Sequence, residues 1–379
     1  MADKTRYTNG KNASVGFNPS GDDSSINSTS FARLQTLMNK SVKAGSAVTN
    51  GGIVSTYSII YSNSYLWLGG IIAPNGDMHF MPFASLYGQK ISSSGVVSTF
   101  TLIHTTGFYM GGVLDSNGNI HFVPRTAKTG QKINSSGVVS TYSLVYTSTS
   151  NMYAGGVLAP NGDIHFIPFA AIVGQKVSSA GVVSTYSLIY TNSTGAYHGG
   201  VLSSSGEIYF IPANASVGQK ISSSGLVSTY SLIYTNSSIA YQGGVLGING
   251  DIHMIPASSS VGQKISSSGV VSTYSLIYTN SGNVYGGAYA SGVLAPNGDI
   301  HMVPFIAPVG QKISKDGVVS TYSLMYTSTT GAYNGGVLND KGEIHFIPFM
   351  AGSVGQKIST LPAIPFSLNL CCSPFFNKL

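Results

Sequence analysis

Histidine stands at six positions that recur most often 44 residues apart: His79, His121, His165, His253, His301 and His345, with Tyr209 in the seventh place. Two residues before each comes a mostly acidic position: Asp77, Asn119, Asp163, Glu207, Asp251, Asp299 and Glu343. A lysine follows in every copy: Lys90, Lys132, Lys176, Lys220, Lys264, Lys312 and Lys357. Such groups could hold a metal or perform acid–base chemistry. A zinc ion, however, needs imidazole nitrogens at about 2.0–2.1 Å, and here each histidine belongs to its own copy. Carboxylate pairs for hydrolysis sit roughly 5–10 Å apart, whereas each copy offers one acid at this position. The expectation is therefore structural. The acid closes a turn, and the histidine hydrogen-bonds within a strand, with His165 lying opposite Lys176. No metal and no cofactor is expected.

An aromatic recurs ahead of a Gly-Gly pair: Trp67, Tyr109, Tyr153, Tyr197, Tyr241, Tyr289 and Tyr333. If exposed, these rings would form a seven-fold collar for stacking sugars or bases; if covered, they are packing plugs. The residue after each aromatic varies, as Leu68, Met110, Ala154, His198, Gln242, Ala290 and Asn334. So does a loop residue after a repeated proline, as Phe83, Arg125, Phe169, Ala213, Ala257, Phe305 and Phe349. Binding residues tend to lie on variable loops of a rigid scaffold, and exposed loops that drift freely give the same pattern. The second copy departs most, with Phe100, His104, Arg125 and Lys128, and His104, Arg125 and Lys128 are expected to form an anion site. Gly-x-Ser-x-Gly, Gly-x-x-x-x-Gly-Lys-Ser/Thr and His-Glu-x-x-His are all absent.

What positions these residues is a repeat of four strand-like runs, exemplified by Gly156–Leu158, Asp163–Pro168, Gly174–Ser178 and Val182–Tyr190. The first two flank Pro160-Asn161-Gly162, a tight-hairpin signal because Asn and Gly both tolerate positive φ. The fourth is β-branched and aromatic. Four antiparallel strands per unit of 40–50 residues describe a propeller blade. Three landmarks, Gly-Gly-Val-Leu, Gly-Gln-Lys and Val-Ser-Thr-Tyr, each occur seven times with small variations. The predicted fold is all-β, a seven-bladed β-propeller over residues 44–360. The chain supplies a fourth strand first, at 53–61, and ends on strands one to three at 336–360. The last blade is thus expected to close with three C-terminal strands and one N-terminal strand. A decayed third strand at 45–49 leaves a two-plus-two closure open. Residues 1–43 form a loose extension with a short helix expected at 31–43, and 361–379 an apolar tail.

The wording Val-Leu-Ala-Pro-Asn-Gly-Asp-Ile-His-Phe-Ile-Pro-Phe at 157–169, nearly intact at 293–305, resembles the VLAPNGxIxFIPF repeat. That repeat occurs in propeller-like proteins of giant DNA viruses of amoebae and of some bacteria. The resemblance covers residues 44–360 and implies a propeller in a viral setting. This chain has His where many family members have Tyr. The family brings no established activity, so no functional residue carries over.

Composition narrows the partners. The net charge is +6, but seven of the 18 basic residues are the repeated lysines, which spread around a ring instead of gathering into a nucleic-acid patch. The adjacent Cys371 and Cys372 fit neither a mutual disulfide nor a zinc site. Without an apolar leader or a membrane-length apolar run, a cytoplasmic or virion-associated protein without membrane insertion is expected. The leading functional expectation is a non-enzymatic scaffold with a protein or glycan partner on the variable loop face. The alternatives are a multivalent glycan-binding propeller and an enzyme using the channel mouth.

Overall fold

A computed structural model describes residues 47–49, 52–60, 66–106, 108–236, 238–280, 287–351 and 354–360. The helix expected at 31–43, the tail 361–379 and the two cysteines lie outside the described residues. Seven antiparallel sheets form a ring, six of four strands and one of five. The protein is a seven-bladed β-propeller. Blade three is representative, with strands Tyr153–Leu158, Ile164–Pro168, Val173–Val177 and Val183–Ser187 running from the axis outward.

Blade seven settles how the ring closes. Its first three strands are Tyr333–Leu338, Glu343–Pro348 and Val354–Ser359, and the fourth is the N-terminal Gly52–Ser58. The closure is three-plus-one, because Val354–Ser359 occupies the third place. Ala47–Thr49 is not a third strand; it pairs outside Gly52–Ser58 as a fifth strand at the rim.

The turn of the first hairpin differs from expectation. Only Gly162 takes positive φ, at 84°. Asn161 stays in the ordinary region, and its Oδ1 accepts from Asp163 N at 3.0 Å. Gly162 N donates to Ala159 O at 2.9 Å, and Ala159 N to Asp163 O at 2.8 Å. Pro160 can begin such a turn because its φ is already set, and glycine alone carries the left-handed step.

The Gly-Gly pair does two separate jobs. Each first strand shifts register between the aromatic and the second glycine, as between Tyr153 and Gly156. This is a bulge, with Gly155 left-handed at φ 76°. A Cβ on Gly155 would lie 3.1 Å from the Cα of Gly199 in the next blade. A Cβ on Gly156 would lie 2.7 Å from Val113 Cγ2 of the preceding blade. Small residues here let seven inner strands crowd around one axis.

Each blade is tied to the next by a buried glutamine from the Gly-Gln-Lys run. Gln175 Oε1 accepts from Val145 N at 3.0 Å and Tyr146 N at 2.7 Å, both at the end of the preceding blade's fourth strand. Gln131, Gln219, Gln263, Gln311 and Gln356 make the same pair of bonds. Gln89 accepts from Ile60 N at 3.2 Å across the closing junction. Replacing Gln175 with leucine should leave both amides without an acceptor. An unmet buried group costs about 1–3 kcal/mol, so Gln175→Leu should lower the melting temperature by several degrees. Melting within one degree of wild type would show that the clamp does not hold the blades.

Candidate functional site

The histidine register is as expected. His165 sits opposite Lys176, and the same pairing recurs in all seven blades, with Tyr209 opposite Lys220. The six histidines and Tyr209 are buried. Around them, Lys176 Nζ bonds Asp163 Oδ2 at 2.6 Å, and the His165 ring meets Tyr186 edge-on at 5.5 Å. Tyr186 in turn covers Gly174, where a Cβ would strike its ring. Burial, with Lys176 nearby, pushes His165 down to about 4, and His79, His253 and His301 behave alike. These imidazoles are neutral at pH 7. Burial works against the Asp163 carboxylate, but Lys176 and Ser179 N hold it below its ordinary range. Among the described residues no three His, Cys, Asp or Glu side chains cluster as metal ligands would.

The aromatic collar lies in the core. Trp67, Tyr109, Tyr153, Tyr197, Tyr241, Tyr289 and Tyr333 are all at most 2% exposed. Tyr153 packs against Phe166 and donates to Val173 O at 3.1 Å. Tyr109, Tyr197, Tyr241 and Tyr289 donate to the corresponding carbonyls. These rings therefore present no face to a sugar or base. Strand alternation turns each aromatic inward and sends its successor to the other face.

Those successors meet at one end of the central channel. Leu68, Met110, His198, Gln242 and Asn334 line a cavity of about 210 Å³ together with the post-proline residues Phe83, Arg125, Phe169, Phe305 and Phe349. Ile239, Thr330 and Met350 complete it. The side chains that differ between blades thus converge on one mouth. Their backbones need not differ, because main-chain bonds stitch the loops together. Met152 N donates to Arg125 O at 2.6 Å, Ala240 N to Ala213 O at 2.9 Å and Ala288 N to Ala257 O at 2.8 Å.

One wall of the mouth is apolar, with Leu68 and Met110 against Phe83, Phe169 and Phe349. The guanidinium of Arg125 lies 5.3 Å from the Phe83 ring centroid and 6.0 Å from that of Phe169. His198 stands edge-on to Phe169 at 5.9 Å. Burial, with the Arg125 charge adding to it, holds His198 down to about 3, so it is a neutral hydrogen-bonding ring.

The expected trio of His104, Arg125 and Lys128 does not enter the mouth together. Phe100 and His104 belong to the fourth strand of blade one and its end, not to blade two. There His104 N bonds Gln131 Oε1 at 2.8 Å, and its ring packs edge-on to Tyr109. Lys128 is exposed on its loop and does not line the mouth. Of the three, Arg125 alone lines it. Leu68, Met110, His198, Gln242, Asn334 and the post-proline phenylalanines carried a signal in the sequence, their variation at fixed repeat positions, whereas nothing in the repeat singles out Ile239, Thr330 or Met350. The glutamine clamp also recurred in every copy, but its partner lies on another blade.

No protein-family model matches the chain, and no curated protein matches it in sequence. Among solved structures it is similar to a streptogramin B lyase, at 19% identity and TM-score 0.69, covering 80% of this chain and 96% of that one. It is also similar to virginiamycin B lyase from Staphylococcus aureus, at 16% identity and TM-score 0.69, over 80% and 98% of the two chains. The extracellular domain of a putative one-component system from B. thetaiotaomicron aligns at 10% identity and TM-score 0.59, over 79% of this chain and 39% of that one. At these identities the likeness is one of fold. Propellers host unrelated functions, so function must come from the site.

Proposed function

We propose that this propeller is a non-enzymatic binding protein whose ligand enters the mouth on the variable face. One observation carries the reading: blades otherwise near-identical differ at the side chains that line a single cavity. Apolar concavities with a few placed polar groups are where ligands bind. The lyase neighbours raise an enzymatic alternative, but the mouth places no carboxylate beside His198 among the described residues. A multivalent glycan reading needs exposed stacking rings, and the seven repeated aromatics are in the core.

The test is a thermal-shift screen of small molecules against the full chain and against Asn334→Trp, which fills the mouth from a half-buried position. Met350→Trp serves if Asn334→Trp loses stability by itself. Ligands that raise the wild-type melting temperature should leave the filled variant unmoved and should be recovered chemically unchanged. Equal stabilisation of both proteins would place binding elsewhere, and conversion of the ligand would make the protein an enzyme.

A further inference from the structure

Arg125 is unusual among the mouth residues. At its repeat position the other blades carry Phe83, Phe169, Ala213, Ala257, Phe305 and Phe349, so the ring does not need a cation there. The side chain is half-buried. Its Nε donates to Asn151 Oδ1 at 2.8 Å, and one terminal nitrogen approaches Met110 Sδ at 3.4 Å. Both acceptors are uncharged. No Asp or Glu among the described residues lies within ion-pair distance of it. A guanidinium has five N–H donors in a planar fork, and these two contacts leave most of them unused. The Phe83 and Phe169 rings offset part of the cost of removing this cation from water, but they supply no counter-charge and no acceptor for its remaining N–H groups. Burial accordingly lowers the Arg125 pKa.

We propose, building on the mouth as the binding site, that it takes a small organic carboxylate with an apolar or aromatic body. The carboxylate pairs with the free edge of the Arg125 guanidinium, where a two-pronged contact is available. The body lies against Phe305 and Phe349, whose rings are 5.6 Å apart, and against the Leu68 wall. Neutral His198 and Gln242 offer hydrogen bonds without a competing charge. At about 210 Å³ the cavity is smaller than the usual drug-sized site of about 300–1,000 Å³, which favours a compact acid over a folded chain segment.

Calorimetric titration of the full chain with 3-phenylpropionate, with its uncharged amide and with inorganic phosphate tests this. The carboxylate should bind at least tenfold more tightly than either. Arg125→Gln should lose at least tenfold toward the carboxylate while binding the amide within twofold of wild type. Arg125→Lys, which keeps the charge but not the fork, should fall between them. If carboxylate and amide bind alike, with Arg125→Gln silent and Asn334→Trp abolishing both, the mouth stands and the anion assignment falls. Phosphate binding as tightly as 3-phenylpropionate would remove the apolar body from the proposal. Failure of all three probes to bind the wild type would overturn the assignment, while the mouth itself is judged by the broader screen.

Discussion

A chain lacking residues 44–61 should not reach a folded, soluble state. The deletion removes the fourth strand of blade seven, which covers the whole length of Val354–Ser359, from Ile53 opposite Ser359 to Ser58 opposite Val354. It also removes Val54, fully buried in the last blade's core, and Ile59, buried at the junction with blade one. The Tyr57 hydroxyl bond to Phe346 O at 2.8 Å goes, as does the Ile60 donor to Gln89. Losing one large core side chain typically costs 2–5 kcal/mol. Several lost together, plus an unpaired strand, approach or exceed the 5–15 kcal/mol that holds a typical domain. A propeller is also worse placed than an open solenoid, because each blade covers its neighbour's face and the first and last blades have no other cover. Circular dichroism and soluble yield read the outcome. A permuted chain that joins Ser359 to Gly52 and opens between two other blades should fold, showing that closure matters and not the N-terminal position. Cooperative melting of the truncated chain at the wild-type temperature would contradict the closure.

Acid should unfold the protein well before its carboxylates reach their ordinary range. His79, His165, His253 and His301 sit at about 4 in the folded chain, against about 6.5 when exposed. A base depressed by folding takes up its proton more readily in the unfolded chain. Its contribution is complete above about pH 6.5 and is lost as pH falls toward 4. Within that window each histidine makes stability fall by about 1.4 kcal/mol per pH unit. Below it the ion-paired carboxylates add the same sign. Lys90, Lys176, Lys264 and Lys312 hold Asp77, Asp163, Asp251 and Asp299 low against their own desolvation. Denaturant titrations at pH 7, 6, 5 and 4 should show a steep monotonic loss. His165→Tyr, the natural substitution at Tyr209, should flatten the slope by about one proton's worth while preserving the fold. Stability flat between pH 7 and 5 would contradict the neutral buried histidines.

Much of the ring was legible because its rules are local and repeated. The Val-Ser-Thr-Tyr and Gly-Gln-Lys landmarks give seven copies, and the displaced fourth strand at 53–61 reveals the closure. Even the register of His165 against Lys176 follows from counting around the Ala170-Ala171 loop. Repetition also misled. Seven aromatics before Gly-Gly look like a collar, but strand alternation puts Tyr109 and Tyr197 in the blade core and their successors Met110 and His198 at the mouth. Spacing alone does not give that direction. Sequence order groups Phe100 and His104 with Arg125 because the chain passes from one blade to the next between them, and the strand they belong to is visible only in the sheet order. The glutamine clamp was hidden for a different reason: its acceptor atom serves amides about 30 residues earlier, on another blade. The mouth was the reverse case. Variation at Leu68, Met110, His198, Gln242 and Asn334 marked a face, and the structure gathers these side chains around one cavity.

A crystal structure of the full chain with 3-phenylpropionate tests the mouth most directly. The expected result is ligand density inside the central cavity, its carboxylate on the Arg125 guanidinium and its ring against Phe305 and Phe349. Density on the opposite face or at the outer rim, with the mouth holding only solvent, would contradict it.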